Sequence, residues 1–155
     1  MKTFNILFII FFLFFIKETY SQEEKNEFVR TLKGHKNRVN SVHFSSDGKY
    51  IISGSWDETL KLWKIESGEE IRTFKGYDNN INAVAYSSDG EFIINADTSD
   101  NNFRLSRISN GKILNVFKEH KTKIVSLAFS PDGNYIISGS EDNNLIFWDR
   151  RESKQ

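Results

Sequence analysis

The chain writes the same short turn three times, as SSDG at 45–48, SSDG at 87–90 and SPDG at 130–133. From Asp47 to Asp89 is 42 residues, and from Asp89 to Asp132 is 43. A period of that length constrains the fold more than any other feature. Each period holds one supersecondary unit, too small to bury its own apolar face, so the units must stack. Asp-Gly suits a tight hairpin because glycine takes positive φ freely and the aspartate side chain bonds the backbone beyond it.

The flanks of the turns repeat as well. Ahead of them lie Val39-x-x-Val42-x-Phe44, Ile81-x-x-Val84-x-Tyr86 and Ile124-x-x-Leu127-x-Phe129. Behind them lie YIIS at 50–53, FIIN at 92–95 and YIIS at 135–138. A third strand follows in each unit (59–64, 102–107, 144–149), and a fourth precedes the first (28–33, 71–75, 113–118). Alternating β-branched and aromatic residues predict strands, twelve in all, with no long helical pattern beyond the leader. The expected fold is all-β: three four-stranded units at about 28–64, 71–107 and 113–149, then a short solvated, polar tail at 150–155.

Residues 1–21 stand apart. Six of the 14 Phe fall within the first fifteen positions, and 6–16 reads ILFIIFFLFFI, eleven apolar residues behind Lys2. Eleven helical residues rise about 16 Å, half of a bilayer core of about 30 Å, which is too short to span. A basic start, a short apolar stretch and small residues at Thr19 and Ser21 read as a signal peptide cleaved after Ser21, or else as an uncleaved signal anchor. The expected location is the secretory pathway or outside the cell, with the cytoplasm as the alternative if the leader is a start-site error. Contact with a membrane is expected only through an uncleaved leader.

Composition narrows the chemistry. Twenty-one Lys and Arg balance 21 Asp and Glu, and without residues 1–21 the charge is −1. That argues against direct nucleic-acid binding, which rests on a basic surface. There is no cysteine, hence no disulfide, thiolate catalysis or cysteine-held zinc. His35, His43 and His120 are not at metal-ligand spacing, the carboxylates are scattered, and no phosphate-cradling glycine loop occurs. No catalytic residue, metal or cofactor is expected.

Gly34-His35, Asp47-Gly48, Ser53-Gly54-Ser55-x-Asp57 and Leu60-x-Leu62-Trp63 together resemble a WD40 repeat. The third unit, with His120, SPDG, Ser138-Gly139-Ser140-x-Asp142 and Trp148-Asp149, resembles it more closely still. The likeness runs over about 28–149 and implies a β-propeller, four-stranded blades around a channel. His35, Ser53 and Asp57 are also the residue types of a hydrolytic triad. They recur 85 residues later as His120, Ser138 and Asp142, each set with a tryptophan, Trp63 or Trp148. A device built once per unit is structural, and the resemblance implies a hydrogen-bonded tetrad in each blade. The middle unit departs from it, with Tyr77 for the His, Asn95 for the Ser, Ser106 for the Trp and one extra residue before Asp100. Loss of those bonds predicts a softer middle blade.

The resemblance further implies a non-catalytic platform for other proteins. Carried over position by position, its partner face holds Arg38, Asn40 and Trp56, then Asn80, Asn82 and Ser99, then Lys123, Val125 and Glu141. Trp56, set in a turn beside Arg38, is the strongest candidate contact. Two other functions stay open: a secreted hydrolase on a propeller, and an RNA-associated scaffold in a ribonucleoprotein assembly. Propellers have four to eight blades, and three are too few for a ring. The chain is therefore expected to be a partial propeller or arc, a piece of a longer one, or a homo-oligomer in which copies complete the ring by swapping outer strands. In this pattern the last blade lacks an outer strand and the segment at 28–33 is the spare.

Overall fold

The computed structural model describes residues 29–152; the leader, Phe28 and the last three residues lie outside them. The chain divides into two compact units, Met1–Arg30 and Thr31–Gln155, and the described secondary structure belongs to the second. It consists of eleven strands and one 3-10 turn, Arg150–Glu152. The strands are β1 Val39–Phe44, β2 Tyr50–Ser55, β3 Leu60–Lys64, β4 Glu70–Phe74, β5 Ile81–Tyr86, β6 Phe92–Asp97, β7 Asn102–Arg107, β8 Ile113–Lys118, β9 Ile124–Phe129, β10 Tyr135–Ser140 and β11 Leu145–Asp149.

They form three antiparallel sheets, ordered β1-β2-β3-β4, β5-β6-β7-β8 and β9-β10-β11. These are three propeller blades in an open array, the third with three strands. The first turn of each blade explains the sequence pattern. Gly48, Gly90 and Gly133 have φ of 67°, 77° and 70°, and each donates its N–H to the serine three residues back, at 3.0, 3.1 and 2.9 Å. The turn aspartates accept from that serine's hydroxyl and from the amide two residues on.

The strand expected at 28–33 is not formed: Val29–Lys33 carry no strand, and Phe28 is outside the described residues. The reason is pairing. The outer edge of β3 is taken by β4, which follows it through a short hairpin, so the N-terminal segment does not pair with β3. Of the third strands β3, β7 and β11, only β11 has no strand paired on its outer side.

Each inner strand is bulged at its second residue. Val39 pairs with Ser55 and Ser41 with Gly54, leaving Asn40 extra; Asn82 and Val125 are extra in the same way in β5 and β9. A bulge turns one side chain off the pleat, and here it aims Asn40 at the next blade. Asn40 Nδ2 donates to Asn82 O at 2.9 Å, and Asn82 Nδ2 donates in turn to Ile124 O.

Two apolar cores hold the blades together. Ile52, Leu60, Leu62 and Phe74 of the first blade meet Ile81, Val84, Tyr86 and Ile93 of the second. The other face of the second blade, with Ala85, Ile94, Phe103 and Leu105, meets Ile124 and Ile136 of the third. The middle blade thus has both faces covered, and every residue of β5 is buried. The softness expected from its lost tetrad is opposed by this burial. The tail is also partly tied down: the Arg150 guanidinium bonds Asp89 at 3.1 Å and lies 4.8 Å from the Phe92 ring centroid, both in the middle blade.

Candidate functional site

In the first blade, His35 sits in the loop before β1, Ser53 on β2, Asp57 in the β2–β3 turn and Trp63 on β3. Trp63 Nε1–H donates to Ser53 Oγ at 2.8 Å, His35 Nε2 lies 2.7 Å from the same oxygen, and His35 Nδ1 lies 2.9 Å from Asp57 Oδ2. One arrangement of protons satisfies all of them: indole to serine oxygen, serine hydroxyl to Nε2, Nδ1–H to carboxylate. The third blade repeats it. Trp148 Nε1 and His120 Nε2 are each 2.8 Å from Ser138 Oγ, and His120 Nδ1 is 3.0 Å from Asp142.

The aspartates are strongly held. Burial pushes Asp57 up, but hydrogen bonds from Thr59, the Lys36 amide and His35 overcome it and keep its carboxyl well below the usual range. Asp142 is likewise raised by burial and lowered further by His120 and the amides of Lys121 and Asn144, to about 2. Ser53 and Ser138 are only 3% and 1% exposed, so neither oxygen is presented as a nucleophile. The tetrads tie the loop before each inner strand to the sheet.

The middle blade solves the same problem differently. Tyr77 is buried there, its phenol pushed up to about 12 chiefly by burial. Asn95 Nδ2 and Oδ1 are buried without a hydrogen-bond partner, while the Ser106 hydroxyl lies beside the Tyr77 phenol. In place of the histidine, Arg104 from β7 reaches the turn, bonding Asp97 at 3.1 Å and Asp100 at 2.8 Å. Nothing in the spacing of the repeats announces this triplet. Nor did the sequence announce the Asn40–Asn82 link, since both residues were expected on the partner face.

The expected partner face is a rim of loops, held alike in all three blades. A backbone bond joins the loop before each inner strand to the following turn: Trp56 N to Arg38 O at 2.9 Å, Thr98 N to Asn80 O at 3.0 Å, and Glu141 N to Lys123 O at 3.0 Å. Thr98, not Ser99, therefore holds the place of Trp56 in the middle blade. The extra residue there shifts the alignment by one, and Ser99 turns back onto Asp97. Arg38 and Glu141 are exposed, Lys123 is half-buried, and Val125 is 47% exposed. Trp56 is 36% exposed, with the Arg38 guanidinium 5.0 Å over its ring. Asn40 and Asn82 do not belong to this surface, because their amides are committed between blades. Among the described residues, no cluster of three His, Asp or Glu is placed to hold a metal.

Known proteins share this repeat. The family described as WD domain, G-beta repeat matches residues 26–64, 68–105 and 111–149. The small ribosomal subunit protein RACK1 of Caenorhabditis elegans is 52% identical over 40 residues, which is 26% of this chain and 12% of that protein. Its Dictyostelium discoideum counterpart is 54% identical over 39 residues, 25% of this chain and 12% of that protein. MST50-interacting protein 11 of Pyricularia oryzae is 51% identical over 39 residues, again 25% and 12%. The matched segments thus span about an eighth of these relatives. Three family matches covering most of the sequence, and three antiparallel blades with two complete His-Ser-Asp-Trp tetrads, make this chain a member of the WD40-repeat family.

Proposed function

We propose that the chain is a non-catalytic scaffold that holds other proteins on its loop rim. The observation that carries this reading is the Arg38–Trp56 pair, a guanidinium stacked on a half-exposed indole. Arginine and tryptophan are the side chains that most often dominate protein interfaces, and stacking lowers the ordering cost of both. The buried, fully bonded tetrad serines favour a scaffold over the hydrolase alternative. The relative named as an MST50-interacting protein supports a protein partner in general. Affinity purification of the tagged full chain, wild type beside Trp56→Ala, tests the reading. A set of proteins lost with Trp56→Ala, while the circular-dichroism spectrum is unchanged, supports it; identical recovery refutes it.

A second reading, a scaffold within a ribonucleoprotein assembly, is favoured by the two relatives named as small ribosomal subunit proteins. The near-neutral charge points to contacts with protein rather than RNA in such a particle. Co-sedimentation with ribosomal subunits on a sucrose gradient, with no retention on heparin, is the expected pattern. Entry to the secretory pathway rests on residues 1–21. Microscopy of tagged chains with and without them tests that location against the cytoplasm. A further expected partner is another copy of the chain.

A further inference from the structure

The two ends of the blade array are the two halves of one interface. On the third blade, Ile137, Leu145 and Phe147 are 36%, 67% and 64% exposed. By strand register they match Ile52, Leu60 and Leu62 of the first blade and Ile94, Phe103 and Leu105 of the second, all of which are 5% exposed or less. On the first blade, Val39, Val42 and Phe44 are 46%, 62% and 64% exposed. They match Ile81, Val84 and Tyr86, which are 0%, 4% and 6% exposed against the neighbouring blade. Those first-blade residues line an open groove of about 200 Å³ with Leu32, Ile51 and Trp63.

Each blade in this chain therefore offers one face that fits the opposite face of the next, and one face of each kind is left over. We propose that a second copy of the chain covers them, the third blade of one copy docking on the first blade of the other. The internal junctions show the register. A Cβ on Gly54 would lie 2.5 Å from Ile81, so the strands approach closely there. Gly139 occupies the same position on β10, which places it against Val39 of the second copy. Ser41 Oγ accepts the Val84 amide at 3.1 Å across the first junction. Its match on β9, Ser126, is exposed and set to accept the Val42 amide of the second copy. The asparagine link does not continue, because the bulge residue on β9 is Val125.

Such a contact is heterologous. The three described blades of each of two copies make six, within the range of closed propellers, and two identical junctions close such a ring. The proposal deepens the reading of the chain as a protein-interaction module, but uses surfaces that do not include Trp56. Light scattering on the full chain is expected to give twice the 18.1 kDa of one copy. Phe147→Asp and Val42→Asp alter side chains already exposed in the single chain, and each is expected to reduce the mass to one copy without altering the circular-dichroism spectrum. Mixed together, these two variants regain one intact junction and return to a dimer, which a face-to-face symmetric contact would not do. A monomeric wild type overturns the proposal, as do variants whose mass is unchanged. If Trp56→Ala loses its partners but keeps the dimer, the rim reading and this one stand separately; a monomer that still recovers partners through Trp56 leaves only the rim.

Discussion

Asn95→Leu is expected to stabilise the protein, although it replaces a polar residue at the position where the other two blades have serine. Asn95 is fully buried, and both atoms of its amide lack a partner. A buried polar group left unsatisfied costs about 1–3 kcal/mol, whereas an apolar side chain of similar volume carries no such cost. Leucine has the branched shape of asparagine but is larger, so some crowding against Val84 and Arg104, its cross-strand neighbours, is expected to offset part of the gain. The net change is about 1–2 kcal/mol in favour of the folded state, or a midpoint higher by about 3–5 °C for each kcal/mol in a unit of this size. Ser53→Ala at the matching position of the first blade has the opposite sign. It leaves the Trp63 indole N–H, in a residue 3% exposed, without its acceptor and removes the His35 bond. The expected loss is about 2–4 kcal/mol. Thermal unfolding of the full chain by near-ultraviolet circular dichroism reads both. A lower midpoint for Asn95→Leu would refute the reasoning, since it would mean that the amide is satisfied and that the middle blade is not short of hydrogen bonds.

Two further outcomes follow from burial and charge. Hydrogen exchange is expected to be slowest in β5 and β6, covered on both faces, and fastest in β11, whose outer edge is unpaired; fastest exchange at 92–107 would restore the expectation of a soft middle blade. The folded-state pKa of Asp142 is lowered from 3.8 to about 2, so its contribution is present above pH 4 and lost as pH falls toward 2. The stability advantage of wild type over Asp142→Asn is therefore expected to hold from pH 6 to 4 and to shrink between 4 and 2; an advantage that stays constant to pH 2 contradicts the assignment.

Period and turn chemistry made the blades legible before any coordinates. Asp47-Gly48, Asp89-Gly90 and Asp132-Gly133 set three hairpins, and the alternating flanks placed eleven strands to within a residue or two. The two tetrads were legible because His, Ser, Asp and Trp recur at one spacing, and their geometry is that of a local, within-blade device. The loop positions of Arg38, Trp56, Lys123 and Glu141 followed from the same recurrence. That of Ser99 did not, because a single inserted residue moves the turn and Thr98 takes the position.

What the sequence could not decide was everything that passes between repeats or depends on a free edge. Strand propensity at 28–33 says nothing about whether a partner edge is available, and β4 already occupies the outer edge of β3. Asn40 and Asn82 read as surface residues until a bulge turned them toward the neighbouring blade. Arg104 holds Asp97 and Asp100 where the motif has failed, and Arg150 anchors the tail to Asp89 and Phe92. Most telling is that residues of the same type, at matching positions, are buried in one blade and exposed in another: Ile52 at 0% and Ile137 at 36%, Val84 at 4% and Val42 at 62%. A repeat fixes which side chains point to which face of a sheet, since that follows from the period of a strand. Whether that face is covered depends on the neighbour, and only the tertiary structure supplies the neighbour.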